Sequence, residues 1–173
     1  FGFGATSGYL NETNLVSNSG VVGADVTGVG TDRAQLSACE YGGDKAIFGF
    51  GYNAGGTLSM TNLVSDAGVV ASDTTGVGTA RQDSAACSYG EDKGIFGFGD
   101  SSGKLGMTNL VSNAGVVASD VAAVGTARYG PAACEYGSGK GIFGFGNDAG
   151  GYSDITNLVS NAGVVATDVT GVG

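Results

Sequence analysis

Lys93-Gly94-Ile95-Phe96-Gly97-Phe98-Gly99 is the stretch on which the reading of the fold turns. Phenylalanines two residues apart are expected to place both rings on one face of an extended strand, with Gly and Ile on the other. Neither face carries charge beyond Lys93, as in a strand covered on both sides. The intervening Gly97 weakens an isolated strand but lets a ring or a backbone approach closely. The stretch recurs as Lys45-Ala46-Ile47-Phe48-Gly49-Phe50-Gly51 and as Lys140-Gly141-Ile142-Phe143-Gly144-Phe145-Gly146, and the chain opens on the tail of a further copy, Phe1-Gly2-Phe3-Gly4.

Working outward, Thr-Asn-Leu-Val-Ser begins at Thr13, Thr61, Thr108 and Thr156, and Arg33, Arg81 and Arg128 keep the same step of about 47 residues. These anchors divide residues 1–173 into a partial unit 1–30 and full units 31–78, 79–125 and 126–173. Each full unit reads as four short strands. In the third unit of the array they are the small-residue stretch Ala85–Tyr89, the Phe-Gly-Phe strand, Met107–Ser112 and Val116–Val121. Gly90-Glu91-Asp92-Lys93 and Asn113-Ala114-Gly115 supply the hairpin turns. Helical 3.6-residue periodicity is absent. The fold class expected is all-β, a β-propeller-like array of four-stranded antiparallel blades. The alternative is a β-solenoid with two coils per unit. The partial unit lacks its opening strand, so the chain is expected to be a segment of a longer protein or to be completed by a neighbour.

The repeat resembles the kelch family of β-propellers. Arg81 before Ala85-Ala86, then Ile95-Phe96-Gly97-Phe98-Gly99, then Leu110-Val111 and Val116-Val117 stand where that family places its Arg, its aromatic-Gly strand and its two outer strands. Two features depart from the pattern: Phe98 interrupts the Gly doublet, and the fourth-strand Trp is missing because the chain has no Trp. The near identity of the units is also similar to repeat proteins encoded by marine bacteriophages. That resemblance implies a tail-fibre or virion attachment role and an extracellular or virion location.

Composition narrows the function. A formal charge of −9 disfavours a phosphate backbone, so no nucleic-acid partner is expected. No run of about 18 apolar residues predicts membrane insertion. With no His in the chain, a Ser-His-Asp or Cys-His centre and a His-ligated metal are out. No catalytic residue, cofactor or metal site is expected. The Asp/Asn/Gly loops such as Asn147–Gly151 lack the spacing of Ca²⁺ loops. Cys39, Cys87 and Cys134 hold one repeat position and read as small core residues. Arg33, Arg81 and Arg128 read as bridges between units or partners of Asp73 and Asp120, and Asp25, Asp73, Asp120 and Asp168 read as turn caps. Ser65-Asp66-Ala67-Gly68 reads as turn chemistry.

Two of the places where the units differ are the loop after each Phe-Gly-Phe-Gly and the residues after each Arg. Variable loops on a fixed frame suit recognition, although exposed positions also drift freely. The candidate recognition residues are Tyr9, Tyr52, Asn53, Asp100, Ser101, Tyr129, Asn147 and Asp148. The function expected is a non-enzymatic structural or attachment module. Its partners would be other copies of the chain, a larger virion or filament assembly, or a cell-surface glycan. A filament-forming structural protein and a glycan-acting hydrolase or lyase are the alternatives.

Overall fold

The computed structural model describes residues 1–171. Within them the chain is all-β. The partial unit contributes β1 (Gly2–Ala5), β2 (Tyr9–Val16) and β3 (Val22–Val26). The next unit contributes β4 (Ser37–Tyr41), β5 (Lys45–Gly49), β6 (Tyr52–Asn53), β7 (Gly56–Thr57) and β8 (Thr61–Val64). It is followed by β9 (Ala85–Tyr89), β10 (Lys93–Asp100) and β11 (Lys104–Val111), and the last unit by β12 (Ala132–Tyr136), β13 (Lys140–Gly144), β14 (Asn147–Asp148), β15 (Gly151–Tyr152) and β16 (Thr156–Val159). The sheets run β1-β2-β3, β4-β5-β8, β9-β10-β11 and β12-β13-β16, with β6-β7 and β14-β15 as short hairpins. Among the described residues every pairing is antiparallel and lies inside one repeat. No ladder runs on from one repeat to the next, as the coils of a solenoid would require.

The opening hairpin of a repeat is closed by residues that tolerate positive φ. Gly42 and Gly43, at 65° and 81°, turn β4 into β5. The fourth strand is shorter than the sequence suggests. Outside the partial unit it is reduced to two bridges per repeat, such as Thr108↔Val121 and Val111↔Val117. Between those bridges Asn109 Nδ2 donates to the Ala118 carbonyl at 3.0 Å and to Asp120 Oδ1 at 2.9 Å; Asn14 makes the same pair of bonds in the partial unit, where β3 is a full strand.

The two rings of the Phe-Gly-Phe motif do not share a face, contrary to the period-2 reading. Phe98 has φ 61°, and the β10–β11 register slips between Gly97 and Gly99. That bulge turns the second ring to the opposite side of the sheet. Phe96 therefore joins Cys39, Tyr41, Ile47 and Phe50 of the preceding repeat, with Val111 beside it. Phe98 instead joins Ala85, Cys87, Tyr89 and Ile95 of its own repeat and Phe143 and Val159 of the following one. The core consequently lies between repeats rather than within one. Phe3, Phe50 and Phe145 share the left-handed conformation. For Phe50 and Phe98, both fully buried, its cost is offset by the two-sided burial it creates.

The cysteines follow the same logic. Cys39 and Cys87 are buried against the next repeat, and Cys134 is exposed because no described residue covers it. Calling all three core residues is thus right for two of them.

Candidate recognition surface

The frame that fixes the surface is built on one arginine per full repeat. Arg33, Arg81 and Arg128 are fully buried. The backbone of each is inserted into the preceding repeat: the Arg81 N–H donates to the Leu58 carbonyl and the Gly51 N–H donates to the Arg81 carbonyl at 2.8 Å. Each guanidinium lies over a phenylalanine of that preceding repeat, Arg33 over Phe3, Arg81 over Phe50 and Arg128 over Phe98, at 4.3, 3.8 and 3.9 Å from the ring centre.

Within its own repeat the same guanidinium donates to Asn62, Asn109 or Asn157 Oδ1 at 2.6–2.7 Å. Those asparagines donate onward to Asp73, Asp120 and Asp168, whose carboxylates also accept from the hydroxyls and amides of Thr31, Thr79 and Thr126. The Arg–Asp ion pairs are loose, 3.9 Å for Arg33–Asp73 and Arg81–Asp120. Arg33 Nε also donates to the Phe50 carbonyl at 2.9 Å, whereas Nε of Arg81 and of Arg128 has no partner among the described residues.

Burial lowers the pKa of all three arginines, with a nearby Asp opposing it, and brings Arg81 down to about 10, still cationic at neutral pH. Partial burial works upward on Asp73, Asp120 and Asp168, but the threonine and asparagine hydrogen bonds outweigh it and hold all three below the usual carboxylate range. These carboxylates are saturated with structural hydrogen bonds. Among the described residues no group of three or more His, Cys, Asp or Glu could hold a metal ion.

On this frame the two variable stretches of each repeat pair with each other. The N–H and C=O of Ala34 and Tyr52 exchange hydrogen bonds at 2.9 Å; Gln82 and Asp100 do so at 2.8 and 2.9 Å, and Tyr129 and Asn147 at 3.1 and 2.9 Å. Each pairing follows from register, since one partner sits directly after the buried Arg and the other directly after the Phe-Gly-Phe-Gly bulge. Neighbouring repeats are stitched along the same side. The Asp83 N–H donates to the Gln35 carbonyl at 3.0 Å and the Gly130 N–H to the Asp83 carbonyl at 2.8 Å. Gln35 Nε2 donates to Asp83 Oδ2 at 3.2 Å, and burial raises the pKa of that carboxyl, helped by Asp100 and opposed by the Gln35 bond.

All eight candidate residues fall on this surface. Tyr9 and Tyr52 meet edge to face with ring centres 6.0 Å apart. Asn53 Oδ1 accepts from the Gly55 N–H, and Ser101 faces Thr57 at 3.4 Å. Asp100 is committed through its backbone to Gln82. Lys104 Nζ donates to Asn147 Oδ1 at 2.6 Å and to the Asp148 carbonyl, and it lies 5.3 Å from the centre of the Tyr129 ring. The Gly150 N–H holds Asp148 with a 2.7 Å bond, and that bond and Ser153 lower its pKa. Most of these side chains are half-buried. Tyr152, not among the residues singled out from sequence, is 98% exposed at the rim. Its counterpart in the partial unit is Tyr9, while the two middle repeats carry Thr57 and Lys104 there, so an aromatic at this position is not a signal shared by every repeat.

In the last described repeat a cleft of about 500 Å³ is lined by Tyr129, Phe145, Asn147, Tyr152 and Ser153. In the other repeats the corresponding place is filled by the arginine of the following repeat. Ser65-Asp66-Ala67-Gly68 is a plain turn, in which the Val69 N–H donates to Ser65 Oγ at 3.2 Å and the Gly68 N–H to the Ser65 carbonyl at 2.9 Å.

No protein-family model and no curated protein matches the chain. Solved structures do. The chain is similar in fold to YjhT. The two superpose with a TM-score of 0.65 over 92% of this chain at 12% identity, and the chain spans 52% of the YjhT structure, about half its length. At that identity the likeness concerns the all-β fold and assigns no role to any residue.

Proposed function

We propose that the chain is a non-enzymatic recognition and attachment module, a propeller-like array of kelch-type repeats that presents variable residues on an invariant frame. The observation that carries this reading is the pairing of the two variable stretches, Ala34 with Tyr52, Gln82 with Asp100 and Tyr129 with Asn147. Positions that merely drift need not be neighbours. Here the two variable stretches are neighbours in each full repeat, while the Arg-Asn-Asp-Thr frame is repeated unchanged. The meander order inside each repeat and the core sandwiched between repeats support the propeller arrangement. The acidic, charge-poor composition and the aromatic, amide and hydroxyl groups of the surface fit a neutral polyhydroxylated ligand, a cell-surface glycan, better than a polyanion. An extracellular or virion-borne setting belongs to the same reading.

A glycan array and whole-cell binding assay with the labelled protein tests it. Binding is expected, and expected to be lost on combining Tyr52→Ala, Asn53→Ala, Tyr129→Ala and Tyr152→Ala with thermal unfolding unchanged. Undiminished binding by that variant, or no ligand on any surface tried, would sink the proposal.

A further inference from the structure

The variable residues of one repeat touch those of the next. A single repeat position carries each crossing, held by Tyr9, Thr57 and Lys104, shortly ahead of Thr-Asn-Leu-Val-Ser. The Tyr9 ring meets the Tyr52 ring edge to face. Thr57 Oγ1 lies 3.4 Å from Ser101 Oγ. Lys104 Nζ donates to Asn147 Oδ1 at 2.6 Å and to the Asp148 carbonyl. Each residue so contacted is the first or second after the Phe-Gly-Phe-Gly of the following repeat. The chemistry differs at each boundary and is matched at each one: ring to ring, hydroxyl to hydroxyl, ammonium to amide and carbonyl oxygen. All three boundaries are internal to the chain.

The backbone fixes the step between these contacts. The final glycine of the motif donates its N–H to the arginine carbonyl of the next repeat: Gly4 to Arg33 at 2.9 Å, Gly51 to Arg81 at 2.8 Å and Gly99 to Arg128 at 2.9 Å. Those arginines are fully buried, so the variable residues that follow each glycine are held in a set position relative to the next repeat. Side chains placed in advance lose little freedom when a ligand binds. The crossing residues and the side chains they contact are half-buried. Each therefore offers only an edge to solvent, and one repeat alone supplies a small contact area.

We propose that these crossings join the variable residues into one continuous strip, and that its ligand is a linear glycan laid across successive repeats rather than a terminal sugar held by one repeat. This rests on the reading of the variable face as a glycan-binding surface and adds the shape of the ligand. Two features select an extended, neutral chain. The contact positions are strung along the array at the repeat step, so a ligand that reaches several of them is itself extended. Tyrosine brings an apolar ring with a polar tip, and Thr57, Ser101 and Asn147 bring donors and acceptors, which suits the ring faces and hydroxyls of a sugar chain. The net charge of −9 works against a polyanionic chain. Individually weak contacts made by one ligand reinforce each other, so affinity grows with the length of chain bound.

Isothermal titration with neutral linear oligomers of glucose, of N-acetylglucosamine and of mannose, from the monosaccharide to the octasaccharide, tests this. At least one series is expected to bind, with affinity rising about a hundredfold or more between the disaccharide and the octasaccharide. Tyr9→Ala, Thr57→Ala and Lys104→Met act at three different boundaries. Each is expected to weaken octasaccharide binding about fivefold or more with thermal unfolding unchanged, whereas a site confined to one repeat would answer to one of them alone. Affinity that is flat with chain length, or a loss confined to a single substitution, overturns the strip and leaves a glycan-binding face standing. No binding by any of the three series, or binding of an extended polypeptide in their place, overturns both.

Discussion

The guanidinium carbon of Arg81 lies 3.8 Å from the centre of the Phe50 ring, although the two residues belong to different repeats. The same side chain is hydrogen-bonded to Asn109 of its own repeat. It therefore fastens two sheets that share no ladder, and it is fully buried while doing so. Arg81→Ala leaves Asn109 without its donor and opens a void beneath Phe50. The expected loss is about 3 kcal/mol or more, read as a drop in the urea midpoint. Arg81→Lys recovers only part of it, because an ammonium cannot combine the flat stack with the forked donation.

Gly97 and Gly144 occupy the same repeat position and face different neighbours. Gly97→Ala drives a methyl into the Phe143 ring and is expected to cost about 1–3 kcal/mol. Gly144→Ala, with no ring above it, is expected to cost less than about 1 kcal/mol. Equal effects in chemical denaturation of dilute protein would show that the ring-on-glycine contact is not what joins the repeats.

Thiol reactivity separates the cysteines. Burial raises Cys39 and Cys87 to about 12, so neither presents an appreciable thiolate at neutral pH. In dilute native protein one thiol per chain, Cys134, is expected to react with a maleimide, and all three after denaturation, as mass spectrometry of the labelled peptides would show.

Acid acts through Asp73, Asp120 and Asp168. Their folded pKa values are depressed, so the unfolded chain takes up protons first. The stability they contribute is complete above the ordinary carboxylate range and is lost as pH falls through the folded values. Unfolding midpoints should be flat from neutral pH down to about 5 and then fall. Asp120→Asn should flatten that fall by its share, and an unchanged acid limb in the Asp73, Asp120, Asp168 triple Asn variant would count against the assignment.

The sequence made the modular plan legible because Thr-Asn-Leu-Val-Ser and the solitary arginines recur at a fixed step, and because Gly-Gly-Asp-Lys and Asn-Ala-Gly are strong turn signals. It also pointed to the arginines as bridges between repeats. It hid the division of labour between Phe96 and Phe98. A left-handed φ is ordinarily read from Gly, and here it falls on the phenylalanine before one, so counting by two assigns the second ring to the wrong side. Asn109 was hidden for a similar reason: a polar residue inside a strand pattern reads as solvent-facing, yet it is fully buried and bonded to Arg81, the Ala118 carbonyl and Asp120. The pairing of Ala34 with Tyr52 joins residues 18 positions apart through a contact that only the register of the bulge determines.

That bulge also makes each module two-faced. Since Phe98 looks one way and Phe96 the other, a single seven-residue stretch supplies both the stud of one junction and the recess of the next, so a substitution in it is felt by the neighbours on either side.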